Sequence, residues 1–469
     1  MATLRFLGAN QQVTGSRYAV TVGDTTVLVD CGMFQEREFL ERNWQPSLIP
    51  VSGIDAMILT HAHLDHCGLI PRMVKDGFSG PIYCTRPTAD LTELILRDSA
   101  DIQVEDAKYK RKRHRREGRQ APHPELPLYD ELDVDRTLPL LRPVPYSRSV
   151  PIGKQIKVTF HDAGHILGSA FLEVKIVENG QPIRLVFSGD LGQGGKPLLR
   201  DPTRITTADY LVLESTYGDR EHTDKGPIES QLAEAIAPSL RDGGKVVIPT
   251  FAVERAQELM YHLSRLVHEN RIPNVGIYLD SPMAIDATAL FQKHGDALDA
   301  ETWNLINSGE APLRFPGLTM VRTTDQSKAL NQMRGPAIIM ATSGMCTGGR
   351  IKHHLAQTLG DSRNTVLFCG YQAAGTLGRQ ILEGQTAVRI HGRSCDVRAR
   401  VRQLFGLSGH ADRAGLLQWL TPLQTPPRQT FLTHGEKKAA ESLATTIQTT
   451  LGWSVQVPAY GEEVELAAR

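Results

Sequence analysis

An α/β protein of more than one domain is predicted by three features of the sequence. The first half alternates short apolar runs with glycine-bounded turns, as strands do. The middle alternates apolar runs with long amphipathic stretches, the strand–helix order of a parallel sheet. Histidines and carboxylates collect just past the ends of those apolar runs. At 469 residues the chain has room for two or three domains and a large core.

Taken in order, residues 4–7 read as a strand, followed by a polar loop over 8–16. Residues 16–22 and 25–29 read as a hairpin turning at Gly23-Asp24 and ending in Asp30-Cys31-Gly32. Asp30 is there either a carboxylate supporting a site or a plain turn former. Residues 55–60 read as a buried strand running into Thr60-His61-Ala62-His63-Leu64-Asp65-His66. The pattern turns helical from Thr88 to about Arg116 and ends in a basic run from Lys108 to Arg116. That run is a solvated helix end or mobile loop, or a grip for phosphates. Ala121-Pro122-His123-Pro124 and Pro127 mark irregular chain. His165 lies in a glycine-bordered loop between strands, and strands 183–187 and 210–213 end in Ser188-Gly189-Asp190 and in Glu214.

Beyond that point helices 227–240 and 254–270 alternate with strands 245–249, 276–280, 337–340 and 365–369. The strand at 337–340 runs into Ser343-Gly344, and the last of these leads to the block Gly370 to Arg379. Two more histidine turns follow. One is Ser408-Gly409-His410 before an amphipathic helix; the other closes strand 429–432 at Thr433-His434-Gly435.

Composition excludes several classes. Lys+Arg and Asp+Glu balance at 52 each, so any basic binding surface is local rather than global. No run approaches the length of a membrane span, and the first residues lack the apolar core of a signal peptide. The six cysteines are scattered with no C-x-x-C pair, which suits a reducing cytoplasm. A cytoplasmic protein without membrane contact is expected.

The stretch 61–66 carries the chemistry. His61 and His63 are two apart and share a side of an extended chain; Asp65 and His66 follow after a bend. Two histidines for one metal and an Asp-His pair for a second is the natural partition. Imidazole with an occasional carboxylate suits zinc. The competing reading is a surface histidine cluster without metal.

His61-Ala62-His63-Leu64-Asp65-His66, then His165, Asp190 and His434, follow one another in an order that resembles the metallo-β-lactamase fold. Glu214, His410 and His434, with the blocks 249–258, 280–284 and 370–379, resemble its nucleic-acid-processing branch, the β-CASP nucleases related to the cleavage and polyadenylation endonuclease and to ribonuclease J. The resemblance covers nearly the whole chain. It implies an αββα sandwich, residues 1–207 and 401–469, interrupted by an α/β β-CASP domain over 208–400 with a mainly parallel sheet and a substrate cleft between the lobes. It implies two zinc ions per chain: one on His61, His63 and His165, one on Asp65, His66 and His434, with Asp190 bridging. Asp30 then supports the metal loop, and His161 has no counterpart and is a structural or surface histidine. Zinc or manganese satisfies the Asp-containing half.

Two metals ~3.5–4 Å apart activate a bridging water as hydroxide near neutral pH. The departing 3′ oxygen needs a proton, for which His410, oriented by Glu214, is the candidate acid; the competing reading of His410 is a residue beside a helix cap. Ser408 and the Ser343-Gly344 turn are candidates to hold phosphate oxygens. Arg255, Arg350 and Arg379 are candidates for backbone phosphates, with ion pairing the alternative. Histidine at position 434 goes with the RNA-processing members. A zinc-dependent ribonuclease acting on single-stranded RNA and leaving 5′-phosphate ends is therefore expected, an endonuclease before a 5′-to-3′ exonuclease, with a homodimer left open by the family's habit of dimerising. The competing readings are a small-molecule hydrolase, which would not need the insert or the Glu214–His410 pair, and a non-catalytic RNA-binding homologue, which should have lost ligands.

Overall fold

In a computed structural model, residues 1–118 and 125–468 are described; the irregular stretch expected at 121–124 lies outside them. The chain forms two compact units. The first comprises Met1–Gly195, Asp201–Glu221 and His410–Arg469; the second comprises Lys196–Arg200 and His222–Gly409.

The first unit is a sandwich of two seven-stranded sheets. One sheet runs, edge to edge, Glu463–Leu466, Ala2–Gly8, Arg17–Val22, Thr25–Val29, Ala56–Ile58, Ile82–Cys84 and Leu141–Pro143. The other runs Val455–Gln456, Gln429–Thr433, Tyr210–Glu214, Gln181–Phe187, Ala170–Glu178, Ile156–Asp162 and Ser149–Ile152. In each sheet an antiparallel half joins a parallel half. The strands face each other through alternate apolar residues, so one core lies between the sheets. At its centre Phe6 packs on Tyr18 and Phe431 (centroids 6.2 and 5.1 Å), and Tyr18 packs on Phe187 at 5.5 Å. Each such pair is worth ~0.5–1.5 kcal/mol beyond its burial. Helices Arg413–Leu420 and Lys437–Leu451 bury Leu416, Leu420, Leu443 and Ile447 against the outer face of the second sheet.

Two consequences of this layout position the histidines. Strand 55–60 is shorter than expected, Ala56–Ile58, because the backbone N–H of Thr60 turns to the Asp30 carboxylate instead of a neighbouring strand. The parallel pairing of Tyr210–Glu214 with Gln429–Thr433 sets Glu214 beside Thr433, which brings His434 to the same edge. All six cysteines are free thiols, five of them buried.

The second unit holds a six-stranded, all-parallel sheet in the order Leu318–Met320, Gly276–Asp280, Ala337–Ala341, Lys245–Pro249, Thr365–Phe368 and Arg400–Gln403. Its central strands are buried throughout, as both-faced covering by helices requires. The helix expected over 254–270 runs Arg255–His268, since Glu254 sits at φ 67° and cannot continue it. Asp280, fully buried, accepts from Ser327 Oγ, Arg350 Nη1 and His354 Nε2 at 2.5, 2.6 and 2.7 Å. Burial opposes its charge, yet His354, Ser327 and Arg350 hold its pKa below the usual carboxylate range. Such a group contributes stability that is complete above the unfolded pKa and is lost as pH falls through the folded one. Asp280→Asn is expected to cost roughly 3 kcal/mol at neutral pH, because breaking a buried charged pair costs about 3–5. The gap to wild type should narrow below about pH 4, where the unfolded carboxyl also protonates. Urea denaturation at pH 7 and pH 3 reads both; a gap of equal size at the two would place the effect in packing rather than charge.

Candidate metal centre

Every residue of the centre belongs to the first unit. After strand Ala56–Ile58 the chain runs through a short irregular stretch, bent at Thr60 and His63, that carries His61 and His63, and then makes the helical turn Leu64–Cys67, which carries Asp65 and His66. His61 Nε2 and His165 Nε2 each lie 3.1 Å from His63 Nδ1. Asp190 Oδ2 is 3.4 Å from His61 Nε2 and 3.5 Å from His165 Nε2. Its other oxygen, Oδ1, is 3.2 Å from His66 Nε2 and 3.5 Å from His434 Nε2. Asp65 Oδ2 completes that second group, 3.3 Å from His434 Nε2. One carboxylate thus offers one oxygen to each of two ligand sets, His61/His63/His165 and Asp65/His66/His434.

The surroundings orient these rings. Asp30 accepts from the Thr60 N–H and hydroxyl, both at 2.8 Å, and sits 2.7 Å from His66 Nδ1. With Nδ1 so engaged, His66 presents Nε2 inward. Thr60 Oγ1 is 3.1 Å from His61 Nδ1, and Thr216 Oγ1 is 3.1 Å from His434 Nδ1, with the same result. Thr60 and Thr216 escaped the sequence reading as supports; the only signal was a hydroxyl at a strand end next to a ligand-bearing turn.

The donor set fits a divalent cation. Imidazole nitrogen and carboxylate oxygen are zinc's usual ligands. Asp190 Oδ1 is buried and makes no well-formed hydrogen bond among the described residues, although His66 Nε2 stands 3.2 Å from it, an arrangement that costs stability unless a cation takes the lone pair. Burial and the neighbouring His66 hold His61 well below the ordinary histidine pKa, in the neutral form that ligates metal. Burial would raise Asp190, but His434, His66 and His61 outweigh it and keep the carboxyl ionised.

Beside the two sets stands a third group. His410 Nδ1 is 3.1 Å from Glu214 Oε2 and 4.0 Å from Asp190 Oδ2. Glu214, buried at the end of its strand, also accepts from the Leu191 N–H at 2.6 Å, so its carboxylate is fixed from two sides. Burial alone would lower the His410 pKa; the charge and hydrogen bond of Glu214 outweigh it and push it up to about 9. Asp412, not His410, caps the following helix by accepting from the Gly415 N–H. His161 stays apart from these groups, stacked on Phe171 and 3.6 Å from Glu173.

The residues expected to touch phosphate lie in the second unit. Arg255 is buried and pairs with Glu258 at 2.5 Å, Arg350 pairs with Asp280, and Arg379, half-buried, pairs with Glu383 at 2.7 Å. Ser343 Oγ accepts from the Thr347 and Gly348 N–H groups and so shapes its own turn. Gly344 packs against the Phe251 ring, which an added Cβ would approach to 2.9 Å. Ser408 is the last residue but one of the unit's final segment, His222–Gly409.

Comparison with known proteins matches the chain to the metallo-beta-lactamase superfamily over residues 13–249, to the Beta-Casp domain over 256–381 and to the Zn-dependent metallo-hydrolase RNA specificity domain over 394–458. It is 40% identical to Ribonuclease TTHA0252 of Thermus thermophilus, covering 97% of this chain and 98% of that one. It is 31% identical to an RNase J-like protein of Methanocaldococcus jannaschii, covering 98% and 99%. Against the transcription termination factor FttA of Methanosarcina mazei it is 33% identical, covering 94% of this chain and 68% of that protein. A crystal structure of a protein of unknown function from Enterococcus faecalis V583 superposes with a TM-score of 0.57 at 14% identity over 99% of this chain and 100% of the other, a likeness of fold.

Proposed function

Because the chain belongs to the metallo-β-lactamase, β-CASP ribonuclease family, we propose that it is a two-zinc endonuclease hydrolysing single-stranded RNA to leave 5′-phosphate ends. The observation that carries this reading is Asp190, whose two oxygens each face a separate set of three ligands. His61, His63 and His165 would hold one zinc, and Asp65, His66 and His434 the other, with Asp190 common to both. Zinc held there supplies Lewis acidity toward the phosphate oxygens and the attacking water. Asp30, Thr60 and Thr216 keep the ligand rings turned inward.

Hydrolysis forms a bond from water oxygen to phosphorus and breaks the bond from phosphorus to the 3′ oxygen. His410 protonates that leaving oxygen from Nε2, because Nδ1 is engaged by Glu214. Glu214 is a positioning residue: it fixes the ring and keeps it charged. Of the three arginines, Arg379 is the best candidate to meet backbone phosphate because its side chain is the most accessible, while Arg255 and Arg350 are paired with the buried carboxylates of Glu258 and Asp280. No helix among the described residues is long and apolar enough to cross a membrane.

The test is direct. Purified protein incubated with a labelled unstructured RNA is expected to yield internal cuts with 5′-phosphate ends, to stop when a chelator is added and to resume with zinc. Intact RNA under zinc-replete conditions would overturn the reading, and mononucleotide release from one end would turn it to an exonuclease.

A further inference from the structure

We propose that the distal part of helix Arg86–Glu117 is an RNA-holding arm that grips the phosphate backbone without reading sequence, through residues other than those that cleave. The identity of the polyanion rests on the ribonuclease reading above. Along this 32-residue helix the buried positions stop at Ala100, with Ala107 the one exception. The last three turns therefore have almost no core contact to justify their sequence. They carry Lys108, Lys110, Arg111, Lys112, Arg113, Arg115 and Arg116, all exposed, with Tyr109 65% exposed among them.

Ion pairing leaves most of this charge unanswered. Lys108 reaches Glu105 at 2.9 Å, Arg113 reaches Glu117 at 3.2 Å and His114 reaches Glu125 at 2.6 Å. Arg111 donates to the Glu125 backbone carbonyl at 2.8 Å. Among the described residues Lys110, Lys112, Arg115 and Arg116 make no ion pair within 4 Å. The helix dipole favours cations only in the last turn, which accounts for His114, Arg115 and Arg116 but not for Lys108 to Arg113. Lys108, Lys112 and Arg116 recur at i, i+4, i+8, and Arg111 and Arg115 at i, i+4; like charges at that spacing destabilise a helix. A row with one cation per turn, about 6 Å apart, is built to be neutralised by an external chain of negative charge. The chain as a whole is balanced at 52 charges of each sign, so this patch acts locally rather than through a global field. Cations clustered along a helix are the electrostatic footprint of a nucleic-acid backbone, and the exposed Tyr109 among them offers a face on which a base can stack.

The test compares full-length wild type with K110Q/K112Q/R115Q/R116Q and with the charge-keeping K110R/K112R/R115K/R116K. Binding of a fluorescent, unstructured RNA of about 30 nucleotides is read by anisotropy on ice across a salt series, while a gel shows the probe intact. Neutralisation is expected to weaken binding at low salt by at least tenfold and to flatten the slope of log K against log salt by about 2–3, at ~0.7 per phosphate released. The charge-keeping variant should retain the wild-type slope. An unchanged slope in the neutralised variant overturns the arm, including the case in which it binds an acidic protein instead. Loss of slope in both variants also overturns it, since charge would then not be the cause. Wild type that binds RNA with the arm-dependent slope yet never cleaves it would instead sink the nuclease reading and leave the arm standing.

Discussion

Asp190→Ala is expected to empty the centre: metal content falling from two ions per chain toward none, and RNA hydrolysis falling with it. The reason lies in the geometry. Oδ1 faces His66 and His434 while Oδ2 faces His61 and His165, so one truncation removes a ligand from both sets at once. Among the described residues the two nearby carboxylates are already engaged, Asp65 with His66 and His434 and Glu214 with His410 and the Leu191 N–H. Charge stabilisation of several kcal/mol leaves with the metals, at tenfold in rate per ~1.4 kcal/mol, so hydrolysis should fall by about 10³ or more. Truncating Asp65 should be milder in metal content, because it strips one set and leaves His61, His63 and His165 with Asp190 intact. Elemental analysis of dialysed protein beside a cleavage assay checks the order. An Asp190→Ala protein that keeps two metals would end the bridging assignment.

How much of this was legible beforehand depends on how local each signal is. His61, His63, Asp65 and His66 are readable because the spacing itself puts them on a strand tip and a turn, and the structure has the tip and the turn. The convergence of His165, Asp190 and His434 on them is not local. It follows from strand order: Gln181–Phe187, Tyr210–Glu214 and Gln429–Thr433 lie side by side although more than two hundred residues separate the last two. No propensity encodes that pairing, and only the order of motifs, read as a family resemblance, anticipated it. The hydroxyls of Thr60 and Thr216 were invisible for a different reason. A threonine at a strand end has an ordinary β-propensity explanation, and its role exists only once a ligand ring stands beside it. In the second unit the buried strands declared themselves by continuous apolar runs, and Lys245–Pro249 and Gly276–Asp280 begin and end where the sequence predicts. The hairpin Ala387–Ile390 with Arg393–Asp396 went unread because it alternates charge with small apolar residues and is largely exposed. The three candidate arginines show the limit of reading charge from sequence. Each was a possible phosphate ligand, and each has a carboxylate at 2.5–2.7 Å: Glu258 and Glu383 stand three and four residues further along the chain, whereas Asp280 is brought to Arg350 only by the fold.

His410→Ala is expected to separate chemistry from metal binding. The ring is not among the six metal-set ligands: its Nδ1 stands 4.0 Å from Asp190 Oδ2 and 3.1 Å from Glu214. Both ions should therefore remain, while kcat falls by about 10²–10⁴, the range for losing a positioned general acid. KM should move little, because the proton is needed only as the 3′ oxygen departs. Glu214→Gln keeps the shape and a weaker hydrogen bond but removes the charge, so it should cost less, on the order of 10–100-fold. Since Glu214 acts through His410, the double variant should be no slower than His410→Ala alone. Additive losses would mean that Glu214 has a separate duty, for example holding the Leu191 N–H and with it the loop that carries Asp190. An RNA with a leaving group of low pKa at the scissile 3′ position distinguishes the roles further, since it no longer needs protonation. Recovery of His410→Ala on that substrate, with no recovery of Asp190→Ala, is what proton donation requires, and failure of His410→Ala to recover would move the histidine from proton donor to phosphate ligand.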